Sequence, residues 1–100
     1  MITVSKPLFK LGQVVATPGA ISALEQAGQT PWEFVALHAA GNWGVVGAED
    51  SEANNQSLKD GSRLLSAYVL KTSVKIWCIT EAEDDNGNRA ATTLLLPDEY

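Results

Sequence analysis

The sequence predicts an α+β domain: an antiparallel meander of three or four strands with an N-terminal helical hairpin packed on one face. Three observations lead there. Two Thr-Pro pairs, Thr17-Pro18 and Thr30-Pro31, open short segments of helical apolar spacing in the first half of the chain. Three runs rich in β-branched and aromatic residues follow one another between Arg63 and Leu96. The connections between those runs are too short for crossover helices, so neighbouring strands must pair antiparallel. A chain of 100 residues, 45% of them hydrophobic, supports one core and hence one domain over residues 1–100.

In chain order, residues 1–7 alternate weakly until Pro7 and read as a loose arm or edge segment. Leu8 to Ala16 is apolar enough for a strand, with Phe9, Leu11 and Val15 inward and Gly12 marking a bulge. Thr17 then caps a helix whose first residue, Pro18, lacks an amide that would be unpaired there anyway. Ile21, Leu24 and Ala27 recur at helical spacing, and Gly28 supplies a left-handed stop. Thr30 and Glu33 have the spacing of a capping box. The helix they open carries Phe34, Leu37 and His38 on one stripe and ends at Gly41, so the two helices form an αα-hairpin. Only the sheet is large enough to cover their apolar stripes.

Gly41-Asn42-Trp43-Gly44 is turn chemistry around an aromatic. Trp43 is expected to plug the junction of helix and sheet against Phe34, Leu37 and Trp77, or else to stand exposed as a binding anchor. From Glu49 to Asp60 the composition turns polar, and a short solvated helix is expected from about Asp50 to Gly61, burying Ala53 and Leu58. The strands follow as Arg63–Leu70, Val74–Glu81 and Ala90–Leu96. The middle one sets Val74, Ile76, Cys78 and Thr80 against Lys75, Trp77, Ile79 and Glu81, so both its faces are apolar enough to demand some cover. Residues 82–88 form an acidic hairpin loop around Asn86-Gly87, and Pro97 ends the last strand.

Composition narrows the functional classes. A formal charge of -5 with seven Lys and Arg argues against holding a nucleic-acid backbone by bulk electrostatics. Cys78 is the single cysteine, which rules out an intramolecular disulfide and a Cys-based zinc site and reads as a small buried hydrophobe. Met1 is followed by Thr3, Ser5, Lys6 and Pro7 rather than by the apolar core of a secretory leader, and no run reaches the ~18 apolar residues of a membrane helix. A cytoplasmic setting away from the membrane is therefore expected. There is no Gly-rich phosphate loop, nucleophile elbow or paired-His motif, so neither cofactor nor metal is expected.

His38 is the single histidine and the natural general base near neutrality. A hydrolytic or nucleolytic site would have to combine it with Tyr68, Glu81 and Arg89, brought together by the fold; otherwise it is a packed histidine. Arg63, Ser66, Tyr68, Thr80, Glu81, Arg89, Thr92 and Thr93 place polar groups on strands, which allows a small polar site on the sheet face away from the helices. Arg89 and Glu81 flank one hairpin loop and can also pair simply as an exposed cross-strand ion pair. Trp43, Arg63 and Arg89 are the candidate binding residues.

The strings Leu11-Gly12-Gln13-Val14-Val15-Ala16-Thr17-Pro18-Gly19-Ala20, His38 with Asn42-Trp43-Gly44, Glu49-Asp50, Gly61-Ser62-Arg63-Leu64-Leu65-Ser66-Ala67-Tyr68, Ile76-Trp77 with Ile79-Thr80-Glu81-Ala82, and Ala91-Thr92-Thr93-Leu94-Leu95-Leu96-Pro97-Asp98-Glu99-Tyr100 resemble a group of short uncharacterised bacterial proteins carried on plasmids and other mobile genetic elements. The resemblance covers about residues 8–100. It departs at Lys71-Thr72-Ser73, where such proteins usually have a Gly-containing turn, and in the longer acidic loop before Arg89. It implies a bacterial mobile-element setting but no particular activity. Two expectations follow: a protein-interaction module that binds a protein partner through an acidic surface and self-associates, or a small hydrolase or nuclease using His38, Tyr68, Glu81 and Arg89.

Overall fold

A computed structural model describes residues 7–100; the remainder of the expected N-terminal arm lies outside the described residues. Four strands form one sheet, β1 (Gln13–Ala16), β2 (Leu64–Val69), β3 (Lys75–Thr80) and β4 (Ala91–Leu95), joined with helices α1 (Pro18–Ala27), α2 (Pro31–Ala39) and α3 (Ala48–Asp60) and a 3-10 turn over Pro97–Glu99. The class is α+β, as the residue pattern indicates. The strand order is β1-β4-β3-β2. β2, β3 and β4 pair antiparallel in succession, but β1 lies parallel to β4, with Gln13 opposite Ala91 and Ala16 opposite Leu94. This corrects the expected all-antiparallel meander. The helices carry the chain from one edge of the sheet to the other before β2 begins, and that long connection lets the first strand return as the parallel neighbour of the last.

α1 and α2 pack together on one sheet face. Their Ala20, Ala23, Leu24, Phe34 and Val35 meet Tyr68, Leu70, Ile76, Cys78 and Leu94 in one apolar core. Cys78 is fully buried there, and burial pushes its thiol well above the ordinary range. Of the expected stripes, Leu24, Phe34 and His38 are buried, but Ile21 and Leu37 are exposed, and Ala20 and Val35 are sealed in. The small Ala20 and Ala23 let α1 approach the strands closely, which the bulkier Ile21 could not do. Thr17 caps α1 as expected, its hydroxyl accepting from the Ala20 amide at 3.2 Å. The capping box of α2 does not form, because the Glu33 carboxylate instead accepts from Gln29 Nε2 at 2.8 Å, and Thr30 makes no capping bond.

The first strand starts at Gln13 rather than Leu8, since Gly12 adopts φ 65° and its backbone passes so near the Arg89 carbonyl that an added Cβ would lie 2.2 Å from that oxygen. In β1 it is Val14 and Ala16 that face the core, and Val15 is turned out. At the opposite edge, α3 runs beside β2. It buries Asn54 and Ser57 rather than the expected Ala53 and Leu58, Ala53 being exposed and Leu58 half-buried. The physical reason is the strand edge itself: Asn54 Nδ2 donates to the Leu65 carbonyl at 2.7 Å and its Oδ1 accepts from the Leu65 amide at 3.0 Å. Further along the same edge, the Ala67 amide donates to Trp43 O and its carbonyl accepts from Val45 N. Gly44 has φ 76° and sits so close that a Cβ would lie 1.9 Å from Ala67 O. The outer edge of β2 is thus covered by a side-chain amide and a short parallel bridge instead of by another strand.

In the β2–β3 turn, Ser73 has φ 72°, the left-handed geometry that a glycine would adopt without strain.

Candidate functional site

The helix-facing side of the sheet carries a buried polar chain. His38, fully buried on α2, lies 2.5 Å from the Ser66 hydroxyl through Nδ1 and 2.8 Å from the Thr80 hydroxyl through Nε2. Thr80 Oγ1 is 2.7 Å from Thr92 Oγ1, and Thr92 donates to the Leu11 carbonyl at 2.7 Å. That carbonyl fixes the direction of the whole chain, because a carbonyl only accepts. Thr92 gives its one proton to Leu11, so it accepts from Thr80; Thr80 therefore accepts from Nε2–H of His38. Burial first, and then the charge of Arg89, lower the His38 pKa from 6.5 to about 4. At neutral pH Nδ1 is consequently bare and accepts from Ser66. These polar strand residues face the helices, which corrects the expectation of a polar site on the opposite face.

Arg89 is also buried, with Nη1 donating to the carbonyls of Ser62 (2.8 Å) and Glu81 (2.9 Å) and Nη2 to that of Ser57 (3.3 Å). Its Nε has no partner among the described residues. The expected ion pair with the Glu81 side chain is corrected: Arg89 takes the Glu81 backbone oxygen, and the nearest carboxylate is that of Glu83 at 3.9 Å. One guanidinium thereby ties the end of α3, the entry to β2 and the exit of β3. Phe9 separates it from His38, with its ring 5.2 Å from the imidazole and 5.8 Å from Arg89 Cζ between centres.

The four residues considered for hydrolysis are not gathered at one open site. His38 is sealed with both ring nitrogens engaged; Tyr68 is buried with its hydroxyl donating to Asn42 O at 2.6 Å; Glu81 is exposed. Desolvation of Tyr68 raises its phenol pKa above the ordinary value. In the acidic loop, the Asp84 carboxylate accepts from the amides of Asn86 and Asn88, each at 2.9 Å. These bonds, the one from Asn88 foremost, lower the Asp84 pKa.

Of the binding candidates, Trp43 is buried against Phe9 and His38, with Nε1 donating to Asn55 Oδ1 at 3.2 Å. Its expected neighbours Leu37 and Trp77 are corrected, since Leu37 points to solvent and Trp77 belongs to the opposite face of β3. Arg63 is the exposed one. Its guanidinium hydrogen-bonds the Tyr100 hydroxyl and lies 5.5 Å from the centre of that ring, which in turn stands edge-on to Trp77 at 5.7 Å.

Trp77, Tyr100 and Arg63 mark the sheet face away from α1 and α2. Register lines it with Leu65, Ile79, Thr93 and Val15 in one row and Ala67, Trp77 and Leu95 in the next, with Val69 beside Lys75 at one end. The turn at 97–100 lies against it, and Ala67, Ile79 and Leu95 within it are buried. A solvated sheet face is ordinarily polar, yet Tyr100 is 66%, Val69 49% and Val15 38% exposed here. The sequence pattern does not single out Tyr100, Val69 or Val15 as exposed apolar residues of this face. The partial cover expected on both faces of β3 from its double-sided apolarity is present, with Ile79 buried and Trp77 half-buried on this side.

Fold and site together define a small α+β domain with a sealed polar chain on one side of its sheet and a partly covered apolar face, edged by the exposed Tyr100, Val69 and Val15, on the other. No known protein family matches the chain, and neither does any curated protein or solved structure.

Proposed function

We propose that this chain is a protein-interaction module that binds through the sheet face centred on Trp77 and Tyr100. One observation carries the reading: that face leaves Tyr100, Val69 and Val15 exposed around a half-buried Trp77, whereas His38, the natural base, is buried with both nitrogens engaged. Tryptophan, tyrosine and arginine together are the residue types that dominate binding energy at interfaces, and here Trp77, Tyr100 and Arg63 form one cluster. The likeness to short proteins of plasmids and other mobile elements supports a bacterial cytoplasmic setting for that binding. Capture from a bacterial lysate tests it with two variants. Trp77→Ser should lose the proteins that the parent retains, while Trp32→Ser, which removes an aromatic that is 57% exposed at the start of α2, should keep them. Equal capture by the parent and Trp77→Ser refutes the assignment of the face.

A further inference from the structure

We infer that Asn86, in the loop between β3 and β4, is a self-modification site: its side chain deamidates through attack by the Gly87 backbone nitrogen, and Asp84 sets the pace by holding that nitrogen in the turn. The asparagines of the chain stand at 42, 54, 55, 86 and 88, and the fold separates them. The Asn54 amide is spent on the Leu65 backbone, Asn55 Oδ1 on Trp43 Nε1, Asn42 Oδ1 on the Gly44 amide and Asn88 Oδ1 on Lys10 Nζ. Asn54 and Asn55 also lie within α3, where the backbone amides that follow them are engaged along the helix. The Asn86 side chain is exposed and makes no hydrogen bond among the described residues.

The residue that follows decides the chemistry. Trp43 and Arg89, which follow Asn42 and Asn88, are bulky and buried, whereas Gly87 has no side chain, and a Cβ built on it would meet nothing within 4 Å. Its nitrogen can therefore reach Asn86 Cγ unhindered once the turn relaxes. The step balances without a cofactor or an oxidant. Hydroxide takes the Gly87 amide proton, the nitrogen bonds to Asn86 Cγ, and the Cγ–Nδ2 bond breaks as ammonia leaves with a proton from water. The cyclic imide so formed then adds water. Opening at one carbonyl gives aspartate, and opening at the other gives isoaspartate, which puts an extra methylene into the main chain.

The turn is the brake. The Gly87 amide donates to the Asp84 carbonyl at 3.0 Å, and the Asp84 carboxylate accepts from the amides of Asn86 and Asn88, each at 2.9 Å. The nucleophile thus stays occupied until the bonds to this one residue give way. Loss of ammonia makes the change one-way. It adds a negative charge beside Asp84 and Asp85 and takes the chain one unit beyond its formal -5.

The test incubates the native parent, native Asp84→Ala and the urea-unfolded parent at mildly alkaline pH and maps tryptic peptides by mass spectrometry, with circular dichroism confirming that the first two are folded. In the native parent, Asn86 should gain the mass difference between oxygen and NH and appear in both aspartyl and isoaspartyl forms, while Asn42, Asn54, Asn55 and Asn88 react more slowly. Asp84→Ala should convert about tenfold faster than the parent, because both bonds to the carboxylate are gone. An Asn86 that stays intact in the native chain over about a hundred conversion times of the unfolded chain exceeds what those bonds can hold back and overturns the inference. So does faster conversion at another asparagine, an aspartyl product alone, or an Asp84→Ala variant no faster than the parent.

Discussion

Because His38 is held neutral by burial, folding must release a proton whenever the unfolded chain carries one there. The folded pKa is about 4 against an ordinary value of 6.5. Between those values the unfolded state binds more protons than the native one, so stability rises with pH through this window. The contribution is fully present above pH 6.5 and is lost as pH falls towards 4. A separation of about 2.5 units corresponds to roughly 3 kcal/mol, or ~1.4 kcal/mol per pH unit inside the window. That is a large share of the 5–15 kcal/mol total of an ordinary domain. With a urea dependence of about 1 kcal/mol per molar, the unfolding midpoint should fall by close to 1 M between pH 6 and pH 5. Carboxylates also titrate towards the acid end, so the control is His38→Gln, which has an amide donor but no titration near neutrality. The difference in slope between parent and variant isolates the imidazole. Nitrogen chemical shifts should independently show the Nε2–H form at pH 7. Parallel pH profiles for parent and variant, or an imidazole that titrates in the native protein near 6.5, would refute the reasoning.

Three further outcomes follow from the packing. Arg89→Ala should destabilise the domain by about 3 kcal/mol or more, because the carbonyls of Ser57, Ser62 and Glu81 lose a buried charged donor; Arg89→Lys should not restore it, since a single ammonium lacks the planar fork, and calorimetric melting of both variants checks this. Asn54→Ala should cost about 2 kcal/mol and speed hydrogen exchange at the Leu65 amide, which loses its acceptor; unchanged exchange at Leu65 would dismiss the edge-covering role. Trp43→Ala removes an aromatic only 6% exposed and should cost ~3 to 5 kcal/mol, a melting-temperature drop of at least about 12 °C for a domain of this size; a drop under about two degrees would show that Trp43 is not a packing plug.

The local elements were legible in the sequence where a single residue type carries the physics. Thr17-Pro18 opens α1 because the hydroxyl and the missing amide act within one turn, and β3 alternates because the pleat requires it. What was not legible depends on residues far apart. The capping box of α2 loses its carboxylate to Gln29, a neighbour that the Thr-x-x-Glu spacing does not include. The parallel pairing of β1 depends on how α1 and α2 cross the sheet, and nothing inside Gln13–Ala16 encodes that direction. Asn54 reads as solvated helix surface until a strand edge with an unpaired amide and carbonyl is placed beside it.

For the candidate site, the residue types were visible but their sides were not. Ser66, Thr80 and Thr92 occupy alternate strand positions together with Leu64, Ile76, Cys78 and Leu94, so they belong to the core face by the same period of two that places those apolar residues there. A hydroxyl on a core face needs a partner, and His38 is the ring on α2 that supplies two. Once that chain is closed, each member is satisfied by another and little remains for a substrate to engage. The opposite parity holds Leu65, Val69, Trp77, Ile79 and Leu95, of which Ile79 and Leu95 are buried, Leu65 and Trp77 half-buried and Val69 exposed. Parity along three strands thus separates a polar chain that completes itself from a second face that is covered only in part, and the proposed binding would use the apolar surface which that second face leaves exposed.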